Sequence, residues 1–142
     1  MPIETETARV TAEFDVVDES DLIRVRKVLR TEAQATGLGL VDTTKLITAG
    51  SELARNILNY ATDGRGRLTV EQVVHRGRRG VRATFGDAGP GIEDVDLAMT
   101  DGFSSRGSLG LGLPGARRLV DDMSLESAAG SGTTVVIVKW QR

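Results

Sequence analysis

Two helix-patterned segments follow the first strand-patterned one without a strand between them, which excludes any fold that needs strand and helix to alternate strictly. Val10, Ala12, Phe14 and Val16 alternate with Thr11, Glu13 and Asp15, as in a strand with one face on a core. Asp18 to Ser20 can cap a helix that carries Leu22, Ile23, Val25, Val28 and Leu29 on its buried side and ends at Gly37 and Gly39. A second helix starts at Asp42 or Thr43, with Leu46, Ile47, Ala49, Leu53, Ala54, Ile57 and Leu58 at helical spacing. Asp63, Gly64 and Gly66 break it after Tyr60. Strands are expected over 68–75 and 80–85, then a short helix over 93–99 and an irregular loop over 100–112. Pro114 suits the first turn of a helix reaching residue 121, and 123–127 with 133–140 form a closing hairpin. That order predicts an α+β sandwich of two layers, a mixed and mostly antiparallel sheet with helices on one face.

At 142 residues the chain is expected to be a single domain spanning 1–142, large enough for a real core. No apolar run approaches membrane-spanning length, and Met1 to Thr7 lack the basic and apolar regions of a signal peptide. With no cysteine, disulfides and thiolate metal sites are excluded, and a cytoplasmic location with no membrane partner is expected. The net charge of −2 supplies no field toward nucleic acid. The one dense basic cluster, His75-Arg-Gly-Arg-Arg79, is expected as a solvated hairpin tip, and His75, the only histidine, has no partner pattern around it. Several of the seventeen glycines fall between Asp87 and Gly115, where backbone freedom must serve something other than regular structure.

Three segments carry chemistry. In Glu52-Leu-Ala-Arg-Asn56 a carboxylate and a carboxamide stand four apart, hence on one helical face, while Leu53, Ala54 and Ile57 turn to the core. A carboxamide oxygen suits Mg²⁺, which keeps waters and shares substrate phosphates, and a carboxylate one turn away can accept a proton from an attacking hydroxyl or water. Arg55 is expected in an ordinary surface ion pair. Asp87-Ala-Gly-Pro-Gly91 sets a carboxylate at a strand end, able to accept from an exocyclic amine such as adenine N6, with Gly89 and Gly91 allowing close approach of a flat ligand. Gly107-Ser-Leu-Gly-Leu-Gly-Leu113 brings glycines into the start of a helix whose N–H groups can hold phosphate. Gly110 to Gly115 also spells the dinucleotide fingerprint, but no buried strand precedes it and no βαβ unit follows.

In this order the segments resemble the N, G1 and G2 boxes of the GHKL ATPase/kinase superfamily, over nearly the whole chain to Trp140. The resemblance implies the Bergerat sandwich with a glycine-rich ATP lid, and ATP with Mg²⁺ as cofactors. It implies that Asn56 is the Mg²⁺ ligand, Glu52 the general base and Asp87 the adenine-reading carboxylate, with Gly89 and Gly91 shaping that wall. Gly107, Gly110, Leu111 and Gly112 then belong to the lid and its phosphate contacts, aided by Arg106, and Thr133 supports the adenine site from the last strand. More closely, Thr48 to Asn56, Asp101-Gly-Phe-Ser-Ser105 and Gly110-Leu-Gly-Leu-Pro-Gly-Ala-Arg-Arg-Leu119 are similar to the switch serine kinases of stressosome modules. That similarity implies phosphorylation of a serine on a STAS-domain antagonist protein and, after release, binding and activation of a serine phosphatase. Two alternatives come from other classes: an anti-sigma factor that sequesters a sigma subunit, and a nucleotide-binding switch without catalysis. A histidine-kinase ATP domain is disfavoured, because the chain has no room for a phosphoacceptor helix bundle.

Overall fold

The computed structural model describes residues 5–61, 64–89, 112–127, 130 and 132–142. Their elements are β1 (Thr7–Val16), α1 (Glu19–Thr36), α2 (Leu40–Tyr60), β2 (Gly66–His75), β3 (Arg78–Asp87), α3 (Leu113–Leu119), β4 (Asp122–Ser127) and β5 (Thr133–Trp140). The helix expected over 93–99 and nearly all of the loop over 100–112 lie outside the described residues.

Local signals set the helix ends. Asp18 caps α1 by accepting from Ser20 N–H at 2.9 Å, and Asp21 reaches back to the N–H groups of Val17 and Asp18, closing a capping box. Gly37, at φ 88°, ends α1 in the left-handed conformation that glycine adopts without steric cost. α2 starts at Leu40, earlier than its buried periodicity signals, because Leu40 and Val41 are exposed and the apolar stripe begins only at Thr43. Likewise α3 stops at Leu119, short of the expected residue 121, since Val120 is extended and Asp121 N–H already donates to Val138 O.

The five strands run in the order β1-β2-β3-β5-β4, and every neighbouring pair is antiparallel. The expected mixed sheet is thus fully antiparallel among the described residues. The reason is the connection: α1 and α2 form an out-and-back pair, so the chain re-enters the sheet in the opposite sense from β1. β2 turns into β3 through Arg76 and Gly77, both at positive φ (52° and 76°), the pairing of a two-residue hairpin turn whose twist matches the strands. β3 accordingly begins at Arg78 and not at residue 80.

One face of the sheet carries the core: Phe14, Val16, Leu68, Val70, Val81, Ala83, Phe85, Val135 and Ile137 pack under the stripes of α1 and α2. Gly50 lets α1 and α2 close on each other, since a Cβ there would stand 2.3 Å from Leu29 Cδ1. Each fully buried Leu or Val in this layer contributes about 1.5–3 kcal/mol of transfer free energy. Two expected core positions fail. Ile23 is 68% exposed, on the solvent side of α1. Val10 is 56% exposed because the register shifts between Val10 and Ala12; that irregularity turns the start of β1 over, so Val10 leaves the face shared by Ala12, Phe14 and Val16.

Candidate functional site

Strand alternation decides which side chains reach the helix layer at the sheet's far end. Along β3, Ala83, Phe85 and Asp87 share the face under the helices, and along β5 Thr133, Val135 and Ile137 do the same. The register makes Gly66, Asp87, Thr133 and Ser127 successive neighbours across β2, β3, β5 and β4. A carboxylate and two hydroxyls therefore stand in one row at the end of the hydrophobic face, where the apolar residues stop.

Each member of the row is held locally. Asp87 Oδ1 accepts the Gly89 N–H at 2.7 Å, a turn that bends the chain sharply after β3 and leaves Oδ2 for another donor. Ser127 Oγ donates to Gly132 O at 2.9 Å and lies 2.8 Å from Thr133 Oγ1, so the two hydroxyls share a hydrogen bond. Gly132, at φ 77°, sits so close to β3 that a Cβ would fall 2.2 Å from Asp87 O. The turn before β5 can then press directly on the end of β3.

Helix α2 passes over this row. Leu53, Ala54 and Ile57 are buried as expected, and Ile57 packs so tightly on Gly66 that a Cβ there would lie 2.7 Å from Ile57 Cγ2 and 2.7 Å from Gly86 O. Half-buried Asn56 immediately precedes Ile57, one strand away from Asp87. Glu52, one turn earlier and exposed, meets the other glycine motif: a Cβ on Gly112 would lie 2.6 Å from Glu52 Oε2 and 3.2 Å from its Cδ. Gly112 is at φ 69° and opens α3, whose Leu113 and Ala116 are buried in the same core as α2. Gly112 thus stands at Glu52 on the polar face of α2, and the Asp87 row adjoins the same helix through Gly66, under Ile57 of its core face. Arg55, between them, pairs with Glu19 at 3.5 Å, the expected surface ion pair.

Of the residues singled out from the sequence, Glu52, Asn56, Asp87, Gly89, Gly112 and Thr133 belong to this neighbourhood. Gly91, Arg106, Gly107, Gly110 and Leu111 lie outside the described residues. Gly66, Ser127 and Gly132 were not singled out. Gly66 and Gly132 show in the sequence only as breaks between elements, and their role depends on what packs against them. Among the described residues no group of three or more His, Asp or Glu side chains could hold a metal ion by itself.

The basic hairpin tip lies at the opposite end of the sheet. Arg79 donates to Ala35 O, the Arg78 guanidinium stands 5.9 Å from the Trp140 ring centre, and the His75 ring lies 6.1 Å from it. No helix among the described residues is long and apolar enough to cross a membrane.

Comparison with known proteins agrees with this geometry. Residues 41–142 match the family model of the histidine kinase-, DNA gyrase B- and HSP90-like ATPases, a span that includes α2 from Val41 onward, the Asp87 row and α3. The chain is also 46% identical over 127 residues to the serine/threonine-protein kinase RsbT of Bacillus subtilis (strain 168), covering 89% of this chain and 94% of that protein. With the family model matching well over half of its length, this chain belongs to the histidine kinase-, DNA gyrase B- and HSP90-like ATPase family.

Proposed function

We propose that this chain is an ATP-dependent protein-serine kinase that phosphorylates a STAS-domain antagonist protein in a bacterial partner-switching module, and that once released it binds and activates a serine phosphatase. The kinase activity rests on the extended identity to RsbT and on membership of an ATPase family. The observation that supports the assignment to particular residues is that one helix, α2, meets Gly112 at Glu52 and packs through Ile57 on Gly66, the strand neighbour of Asp87. The described parts of all three motifs thus adjoin one helix.

Asp87 Oδ2 and the Thr133 hydroxyl have the polarity to read the amino edge of adenine, with Gly89 N–H keeping the carboxylate oriented. Asn56 offers a carboxamide oxygen on the same side of α2. Asn56 would hold Mg²⁺ through that oxygen, with phosphates and water completing its shell. Bound there, Mg²⁺ supplies neutralisation of phosphate charge. Glu52 then takes the proton of the attacking serine: Oγ forms the new bond to the γ-phosphorus, the bond to the β–γ bridging oxygen breaks, and ADP leaves with that electron pair. Gly91, Arg106, Gly107, Gly110, Leu111 and Gly112 complete the reading as wall and lid over the nucleotide. Reaction and partners are assigned to the cytoplasm.

The test is incubation with Mg²⁺ and γ-labelled ATP, with and without a STAS-domain acceptor, followed by mapping of the labelled residue. Label on one serine of the acceptor is expected. ATP binding without any transfer would leave a nucleotide-dependent switch, and tight capture of a sigma subunit with no transfer would leave an anti-sigma factor.

A further inference from the structure

The contact between Glu52 and Gly112 joins the two motifs by a direct steric fit. At φ 69° the Cα of Gly112 presents to α2 the side on which an L residue would carry its Cβ. Glu52 fills that space: its Oε2 would be 2.6 Å, its Cδ 3.2 Å and its Cγ 3.6 Å from such a Cβ, and no other neighbour comes closer. Gly115, one turn on in the same helix, has nothing within 4 Å of an added Cβ. The requirement for glycine on the space side is therefore local to residue 112 and is imposed by the carboxylate.

We propose that Gly112 is a positioning residue of the phosphotransfer reaction, whose missing side chain sets where the Glu52 carboxylate rests; this deepens the reading of Glu52 as the proton acceptor and rests on it. α2 and α3 are fixed to each other through the core by Leu53, Leu113 and Ala116, so the gap between their facing surfaces is set by packing. The carboxylate end of a flexible side chain is the part of the contact that gives way at least cost. A Cβ at 112 therefore moves the carboxylate and leaves the fold in place. The effect falls on the proton-transfer step, because reacting atoms misplaced by an ångström cost a large factor in rate.

The backbone conformation at 112 offers a rival cause, since an alanine there is strained whatever space it finds. Asparagine tolerates the left-handed region better than alanine but carries the same Cβ. Aspartate at position 52 is one methylene shorter and withdraws from the contact. The experiment is a cycle of G112A, G112N and E52D, singly and as the pairs E52D/G112A and E52D/G112N, with G115A as reference. It reads kcat for transfer to a STAS-domain acceptor, Kd for ATP by calorimetry, and the carboxyl ¹³C shift of residue 52.

Expected are a loss of roughly 10²-fold in kcat for G112A and G112N alike, a loss of ATP affinity through the lid well below that loss in kcat, and a displaced Glu52 carboxyl resonance. In the E52D background neither substitution at 112 should cost much more, so the cycle is strongly non-additive. G115A should behave as the parent. Recovery by G112N would assign the effect to backbone strain and overturn the proposal. So would full additivity with E52D, or an unmoved carboxyl resonance. A parent chain that transfers no phosphate overturns the kinase reading together with this one, whereas a transferring parent indifferent to G112A overturns this inference alone.

Discussion

The two ends of the sheet treat their charges in opposite ways. At the hairpin end, Lys139 is 3% exposed, yet its ammonium is saturated: it donates to Leu119 O at 3.1 Å and pairs with Asp42 at 3.3 Å and Asp121 at 3.6 Å. Arg142 adds a second cation to both carboxylates, and Trp140 is bound through its backbone N–H by Asp121 and through its indole N–H by Asp122. At the other end Glu52, Asn56 and Asp87 are half-buried or exposed, flanked by Gly66, Gly112 and Gly132, and the neighbouring hydroxyls are tied to backbone or to each other. Charges that hold a fold are enclosed by counter-charges, whereas among the described residues Glu52 and Asp87 meet the backbone of Gly112 and Gly89. Stability and reactivity should therefore separate by position along the strands.

The largest test of that separation is E52Q, which should lower phosphotransfer by about 10²–10⁴-fold while leaving ATP affinity and melting temperature unchanged. A wild-type transfer rate would remove Glu52 from the reaction. Next is K139A, which strands two carboxylates beside a single arginine. It should cost about 3–5 kcal/mol in urea unfolding, with ATP affinity of the folded protein retained. Substantial loss of nucleotide binding in folded K139A would show that the two ends are not independent. N56A comes third: loss of one oxygen ligand should weaken Mg-ATP binding by about 1.5–3 kcal/mol in calorimetry, and much less for ATP without magnesium.

The smallest effect is on acid stability. Burial by itself raises the Asp121 carboxyl, but the Trp140 N–H, the Arg142 guanidinium and the Lys139 ammonium together bring it below its ordinary value. A carboxylate whose folded pKa is depressed stabilises the protein above its unfolded pKa, near 3.9, and that contribution disappears as pH falls through the folded value. Urea midpoints should thus decline below about pH 4, and D121N should flatten the decline; partial solvent access limits the difference to about 1 kcal/mol. An equal acid slope in D121N would place the titrating groups elsewhere.

Much of this was legible in the chain. The Leu53, Ala54 and Ile57 stripe announced which way α2 faces, and so which face Glu52 and Asn56 share; the capping residues Asp18 to Ser20 and the glycine at 37 marked the ends of α1. What was illegible shows why. Val10 continued the alternation on paper, but a register shift in pairing with β2 turned it outward. Ile23 fitted the apolar stripe of α1 and lies on its solvent face, because the stripe is narrower than the run of apolar letters. Lys139 gave no sign that its charge would be buried, since its partners Asp42 and Asp121 come from remote segments.

Residue types and their spacing were enough to establish the α+β class, the family likeness and which three segments carry polar groups, because periodicity and box order are local properties of a chain. Which glycine meets which side chain was decided only by folding. Gly132 against Asp87 and Gly112 against Glu52 are contacts between segments far apart in sequence, and Gly66 under Ile57 joins a helix to the strand that follows it. They exist because packed helices and paired strands set distances that no single segment encodes.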